Sequence, residues 1–215
     1  MTDDAAPVAR ISVAAIVANV RGAAASAPLV DLRHDAYGHG VTAVSTALLG
    51  ETDALLLVDD ASAIGGRVVR TGDPSLSPAA TYGWVEGEPA MTLVGTVLST
   101  KRLRAGEGVS YGYRFRAPAD TRVALVTGGY AQGVVRGAGG AASVFIEGAR
   151  HPIVGRVAMD VCVIDIGDAD VARGAEATFF GRGGDTVARW AAATGLRSSE
   201  IVTAVGLHTQ REVQS

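Results

Sequence analysis

The sequence predicts an α/β segment joined to a mostly antiparallel β domain, and three observations carry that expectation. Residues 28 to 50 read as a short apolar strand, a glycine-punctuated loop and a helix. A second strand and helix follow, and the resulting βαβα order implies parallel strands. From Met91 onward the texture changes to strand-like runs separated by turn signals. The expected division is therefore residues 1–83 for the α/β part and 84–215 for the β domain.

In chain order, Ser12 is placed to cap a helix reaching Ala25, with Val13, Ile16, Val17 and Val20 on one face. A strand at 28–33 and a helix at 41–50 follow. Asp53 to Val58 reads as a buried strand and Asp59 to Ile64 as a second short helix. Gly65 to Pro78, rich in Gly, Pro, Ser and Thr, reads as a linker. The β runs are Met91–Arg104, Val109–Arg116, Thr121–Gly128, Ser143–Glu147, Pro152–Ala158, Val161–Ile166 and Glu176–Arg182. Two helices close the chain, at 185–194 with Asp185 as cap and at 198–205 with Ser198 or Ser199 as cap. The glycine-rich stretches 128–133 and 181–185 have neither a Walker lysine nor Rossmann spacing, so they read as hairpin and helix-entry turns.

With 215 residues, 48% of them hydrophobic, the chain can bury a sizeable core. A net charge of -3 and no basic cluster interleaved with aromatics argue against nucleic acid as a partner. No apolar run approaches a membrane span, and the start Met1-Thr2-Asp3-Asp4 is acidic where a signal peptide is basic, so a cytoplasmic protein is expected. Cys162, within Val161-Cys162-Val163-Ile164, reads as a buried hydrophobe. His34 and His39 stand five apart in a loop and His151 and His208 are isolated, so no metal spacing is present. Lys101 is the only lysine.

The stretch from Arg33 to Gly40 leaves the carboxyl end of a strand, where α/β proteins bind ligands. Arg33, His34, Asp35, Tyr37 and His39 are thus the first site candidates. A plainer reading gives Gly38 and Gly40 to the turn and the polar side chains to helix capping. The run Arg33-His34-Asp35-Ala36-Tyr37-Gly38-His39-Gly40 resembles the signature of bacterial alanine racemases, in which the position of Arg33 is the lysine that carries pyridoxal phosphate. Three further segments resemble that family in order. They are Gly106 to Gly112, Gly129 to Gly133 with Arg136, and Val154 to Asp160. Together the similarity spans 8–66 and 81–211.

The resemblance implies a remnant, two or three β/α units, of a TIM barrel joined to an alanine racemase C-terminal β domain. A complete barrel takes about 250 residues, so some five units are missing, and the linker at 65–80 is expected to lead into the last barrel strand near Thr81-Tyr82-Gly83. By the same resemblance Tyr111 matches the second catalytic base, donated across a dimer. Tyr37 matches a phosphate contact, Met159 a backbone contact to the substrate carboxylate, and Tyr130, Arg136 and Arg156 a polar entrance corridor. Leu207 and Gln132 replace a tyrosine and an aspartate of the family. Racemisation needs a base on each face of the carbon that inverts, and arginine, with a pKa above about 12, cannot form the Schiff base that lysine forms.

These implications favour a degenerate paralogue without independent racemase activity, acting as a dimerising or regulatory partner. The expected assembly is a homodimer or a heterodimer with a full-length alanine racemase, since an incomplete barrel leaves sheet edges to be covered. Pyridoxal phosphate enters by resemblance, with covalent attachment not expected. The alternatives are an active alanine racemase interconverting L- and D-alanine for the cell wall, and a protein binding pyridoxal phosphate or a small amino acid noncovalently.

Overall fold

The computed structural model describes residues 6–23, 26–62 and 64–214. Strand β1 (Val8–Ser12) runs into helix α1 (Val13–Gly22), capped by Ser12, whose Oγ accepts from Ala15 N at 3.2 Å. The helix ends at Gly22, short of Ala25, which lies outside the described residues. Strand β2 (Leu29–Asp31) leads through the short turn α2 (Arg33–Tyr37) to helix α3 (Val41–Glu51), then to β3 (Leu55–Leu57) and β4 (Val68–Val69). These three strands form a parallel sheet in the order β2-β3-β4.

Four local expectations are corrected here. No helix forms over 59–62, because Asp60 accepts from both the N and the Oγ of Ser62 at 2.9 Å, a local turn that competes with helix. Ala63, also in the expected helix, lies outside the described residues. The linker is not featureless, since it holds β4 and the short helix α4 (Pro78–Thr81). Thr81-Tyr82-Gly83 is the end of that helix and a turn, not a strand. Nor is the β2 edge open. Ser75 N donates to Leu29 O at 3.0 Å, Leu29 N to Ser75 Oγ at 2.8 Å, and Tyr82 Oη to Asp31 O at 2.8 Å. Ser75 and Tyr82, from the segment that follows β4, therefore satisfy much of the edge.

The β domain begins with the long strand β5 (Met91–Leu103) and a small hairpin, β6 (Gly108–Val109) and β7 (Phe115–Arg116), broken by a 3-10 turn at Tyr111–Tyr113. Strands β8 (Thr121–Thr127), β9 (Ser143–Ile146), β10 (Ala149–Val154), β11 (Val161–Gly167) and β12 (Glu176–Phe180) follow. Strands β5, β8, β11, β10, β9 and β12 pair in a ring, and β12 returns to β5, closing a six-stranded antiparallel barrel. Closure is possible because β5 divides its length, pairing with β12 through Leu93–Thr96 and with β8 through Val97–Leu103. Gly95 permits that crossing, as a Cβ there would lie 2.1 Å from Thr127 O.

Helix α5 (Val187–Thr194) is capped by Thr186 rather than Asp185, and α6 (Ser198–His208) starts from Arg197, whose N is held by Glu200 Oε2 at 2.7 Å, rather than from Ser198 or Ser199. Asp185 is instead buried and paired with Arg150 at 3.1 Å. The last strand, β13 (Gln210–Gln214), lies parallel to β1, and β1 is antiparallel to β5. So β1, within the expected first domain, belongs to the sheet of the second. One core runs through both parts, from Ile16, Leu32, Leu48 and Leu56 to Met91, Leu93, Phe179 and Trp190. Cys162 lies in it, and burial pushes its thiol up to about 12, consistent with a packing role.

Candidate functional site

A carboxylate inside an apolar strand needs partners, and Asp31, 2% exposed within Leu29-Val30-Asp31-Leu32, has four bonds. It accepts from Arg33 N at 3.1 Å, Arg33 Nε at 2.9 Å, Arg33 Nη2 at 2.7 Å and Tyr37 Oη at 2.9 Å. The guanidinium thus grips both carboxylate oxygens in a fork. Burial pushes the Asp31 carboxyl up, but the bonds from Arg33 and Tyr37 outweigh it and hold the group below its ordinary value. The same bond raises Arg33 further above its already high value. Burial and the Asp31 bond push Tyr37 up to about 12, so its phenol stays a neutral donor.

The segment between these residues is unusual. His34, Asp35, Ala36 and Tyr37 have φ of 57°, 57°, 53° and 53°, one turn of left-handed helix built from non-glycine residues. Each such residue costs about 1–2 kcal/mol, and a set of clamps offsets it. His34 N donates to Asp59 Oδ2 at 2.6 Å, and Val41 N to Asp35 Oδ1 at 2.8 Å. Arg211 of β13 pairs with Asp35 and donates to Gly38 O at 3.2 Å. Behind the turn, Tyr82 stacks on His39 at 4.4 Å, and Tyr37 stands edge-on to Tyr82 at 5.7 Å and to Trp84 at 5.5 Å. His39 is fully buried, with Nδ1 donating to Ala36 O at 2.8 Å. Burial pushes its imidazole down to about 4, so it is neutral.

The other candidates gather at loops of the barrel. Tyr130 N donates to Ala158 O at 3.0 Å and Ala131 N to Met159 O at 2.9 Å. Gln132 accepts from Gly129 N and donates to Asp160 Oδ1, both at 3.0 Å. The Arg136 guanidinium lies 4.4 Å above the Tyr130 ring. Met159 is 55% exposed. Arg156 N donates to Ser110 Oγ at 2.8 Å, which brings the turn bearing Tyr111 against the same 155–160 connection. The Tyr111 side chain lies outside the described residues.

Helix α6 stands between the two groups. Gly206 and Gly38 cross so closely that a Cβ on Gly206 would lie 2.0 Å from Gly38 O. On another face of the helix, a Cβ on Gly133 would lie 2.6 Å from Val205 N, and Thr209 Oγ1 donates to Gln132 O at 2.9 Å. Among the described residues, Arg33 and Tyr37 meet through Asp31, and Met159, Tyr130, Arg136 and Arg156 meet around the 155–160 connection. No hydrogen bond or ion pair given by the described residues joins one set to the other directly. Nor does any group of three or more His, Cys, Asp or Glu among them stand ready for a metal ion.

Residues 90–213, more than half of the chain, match the family model described as alanine racemase, C-terminal domain. The chain belongs to the alanine racemase family. It is 47% identical over 133 residues to the alanine racemase of Mycobacterium tuberculosis, which is 60% of this chain and 35% of that protein. It is 48% identical over 126 residues to that of Thermobifida fusca, 57% of this chain and 34% of that one. The chain thus spans about a third of the length of the curated alanine racemases it matches. Among solved structures, the alanine racemase from D-cycloserine-producing Streptomyces lavendulae superposes with a TM-score of 0.87 at 22% identity, over 98% of this chain and 97% of that one. The Bartonella henselae alanine racemase with covalently bound pyridoxal phosphate superposes with a TM-score of 0.80 at 16% identity, over 98% and 100%. At these identities the likeness is one of fold.

Sequence reasoning missed Asp31, Tyr82, Trp84 and Arg211. For Asp31 the signal was present: a carboxylate in an apolar run two residues from an arginine. The others come from distant parts of the chain and carry no local mark in an alanine racemase signature.

Proposed function

We propose that this chain is a degenerate, non-catalytic member of the alanine racemase family that acts as a dimerising or regulatory partner. The observation that supports this reading most is the Asp31–Arg33 fork at the position where the resemblance puts the cofactor lysine. Covalently held pyridoxal phosphate does not fit these residues. The Arg33 guanidinium keeps its proton and is turned back onto Asp31. Tyr37, the resemblance's phosphate contact, gives its hydroxyl to the same carboxylate, and a phosphate seated there would face the negative charge of Asp31.

In this reading the three-stranded parallel sheet is what remains of the TIM barrel, and Tyr111, Met159, Tyr130, Arg136 and Arg156 form a surface on the β domain that meets a second subunit. The partner is another copy of this chain or a full-length alanine racemase in the cytoplasm. The exposure of Met159 and Tyr130 supports a surface role there.

Alanine racemisation in the presence of added pyridoxal phosphate tests the first half. The native protein and Tyr111→Phe are expected to give the same background. Turnover by the native protein above that variant restores the active-racemase reading and overturns this one. Sedimentation at micromolar concentration tests the second half, with self-association or association with a complete alanine racemase expected, and a monomer that takes up neither sinks the partner role.

A further inference from the structure

Strands β5 and β8 bring two arginines face to face. Arg102 and Arg122 are direct register partners, and like charges directly opposite one another destabilise an antiparallel pair. A cleft of about 690 Å³ opens at this end of the barrel, lined by Lys101, Arg102, Arg104 and Arg122 together with Glu107, Asp120 and Asp168, among others. That volume suits a small ligand.

Three carboxylates, Glu107, Asp120 and Asp168, share the cleft and offset part of the four positive charges, but among the described residues none of the three forms an ion pair with them. Glu107 Oε2 accepts from Arg104 N at 2.9 Å, and Asp120 Oδ1 from Ala105 N at 2.9 Å. Asp165 Oδ1 accepts from Thr121 Oγ1 at 2.6 Å and from Gly167 N at 3.1 Å. Among the described residues only Arg122 of the four cations has a carboxylate partner, Asp170 at 3.1 Å, and that aspartate is 95% exposed, where an ion pair contributes little. Residues 101–122 hold six basic and two acidic side chains in a chain of net charge -3. With Tyr111, Tyr113 and Phe115 among its basic residues, this run corrects the expectation that the chain has no basic cluster interleaved with aromatics.

We propose that this cleft binds a small molecule bearing a phosphate dianion or pyrophosphate, held between the Arg102 and Arg122 guanidiniums with Lys101 and Arg104 at its margins. Guanidinium forks match phosphate oxygens two at a time, and a dianion relieves the repulsion between the paired arginines. The site is separate from the Asp31–Arg33 fork and stands or falls independently of it.

Calorimetric titration of the full chain with inorganic pyrophosphate at low salt tests the proposal. Saturable binding is expected, weakened by about tenfold or more in Arg102→Gln and in Arg122→Gln and unchanged in Arg182→Gln, an exposed arginine elsewhere. Melting adds a readout that a merely structural arginine would not give. Without pyrophosphate, Arg102→Gln melts at or above the native temperature, and it loses the rise that pyrophosphate gives the native protein. Absence of saturable heat, or equal affinity in Arg102→Gln, overturns the proposal. So does binding of a single-stranded oligonucleotide that pyrophosphate does not displace, which would make this a nucleic-acid surface.

Discussion

The turn at 31–39 and the loops at 129–160 carry the two halves of one family resemblance, and their surroundings differ sharply. In the first, Asp31 takes up both Arg33 and Tyr37, His39 is sealed beneath Tyr82, and Arg211 ties the turn to β13. In the second, Met159 and Tyr130 stand at the surface, and the hydrogen bonds there run mainly between backbone groups. One half is bound into a network around a buried carboxylate, and the other presents Met159 and Tyr130 at the surface. Polar groups that bond each other inside a low-dielectric setting support the fold together, and their pairing must be disturbed before they can turn to a ligand.

The contrast can be broken in order of expected effect. The largest comes from His39. Its folded imidazole titrates at about 4, below the ordinary 6.5, so between those values the unfolded chain takes up a proton that the folded chain refuses. Stability is full above pH 6.5 and falls by about 3 kcal/mol in total as pH drops to 4. Urea midpoints at pH 7.5 and 4.5 measure this, and His39→Phe should flatten the difference.

Next is Asp31→Ala, which leaves Arg33 and Tyr37 without their acceptor. Because the Arg33 side chain is 42% exposed and water can replace part of the bond, the expected loss is about 2 kcal/mol, below that of a fully buried pair. Urea unfolding at pH 7.5 reports it. The smallest effect belongs to the other half. Met159→Ala, at an exposed side chain, should change stability by less than about 0.5 kcal/mol, yet on the proposed reading it weakens self-association in sedimentation. A large loss of stability there would erase the distinction between the two regions.

Much of the β domain was legible because alternating apolar runs and Gly-rich turns are local signals, as at Thr121–Thr127 and Val161–Gly167. What was illegible depends on distance along the chain. The pairing of Val8 with Gln210 and with Val94 puts β1 in the barrel's sheet, and nothing in Val8–Ser12 announces either partner. Barrel closure rests on β5 serving several neighbours along one strand. The helix expected from Asp59 does not form over 59–62 for a local reason, since Asp60 and Ser62 bond each other. At the candidate site, resemblance pointed to position 33 and its substitution, whereas the destination of the guanidinium had to be read from Asp31. A substituted position is visible in a motif, but the bonds its new side chain makes are not.

The left-handed turn at 34–37 has a consequence in stereochemical terms. Its backbone is the mirror image of an ordinary helical turn, a shape at ease for D residues and uphill for the L residues that make it. No single bond compensates for four such residues, so the turn's handedness is a shared property of Asp59, Arg211 and the Gly38–Gly206 crossing. These distant segments together hold the turn that keeps Tyr37 on Asp31. The geometry at the centre of the family signature is thus held from outside, by parts of the chain that the signature does not include.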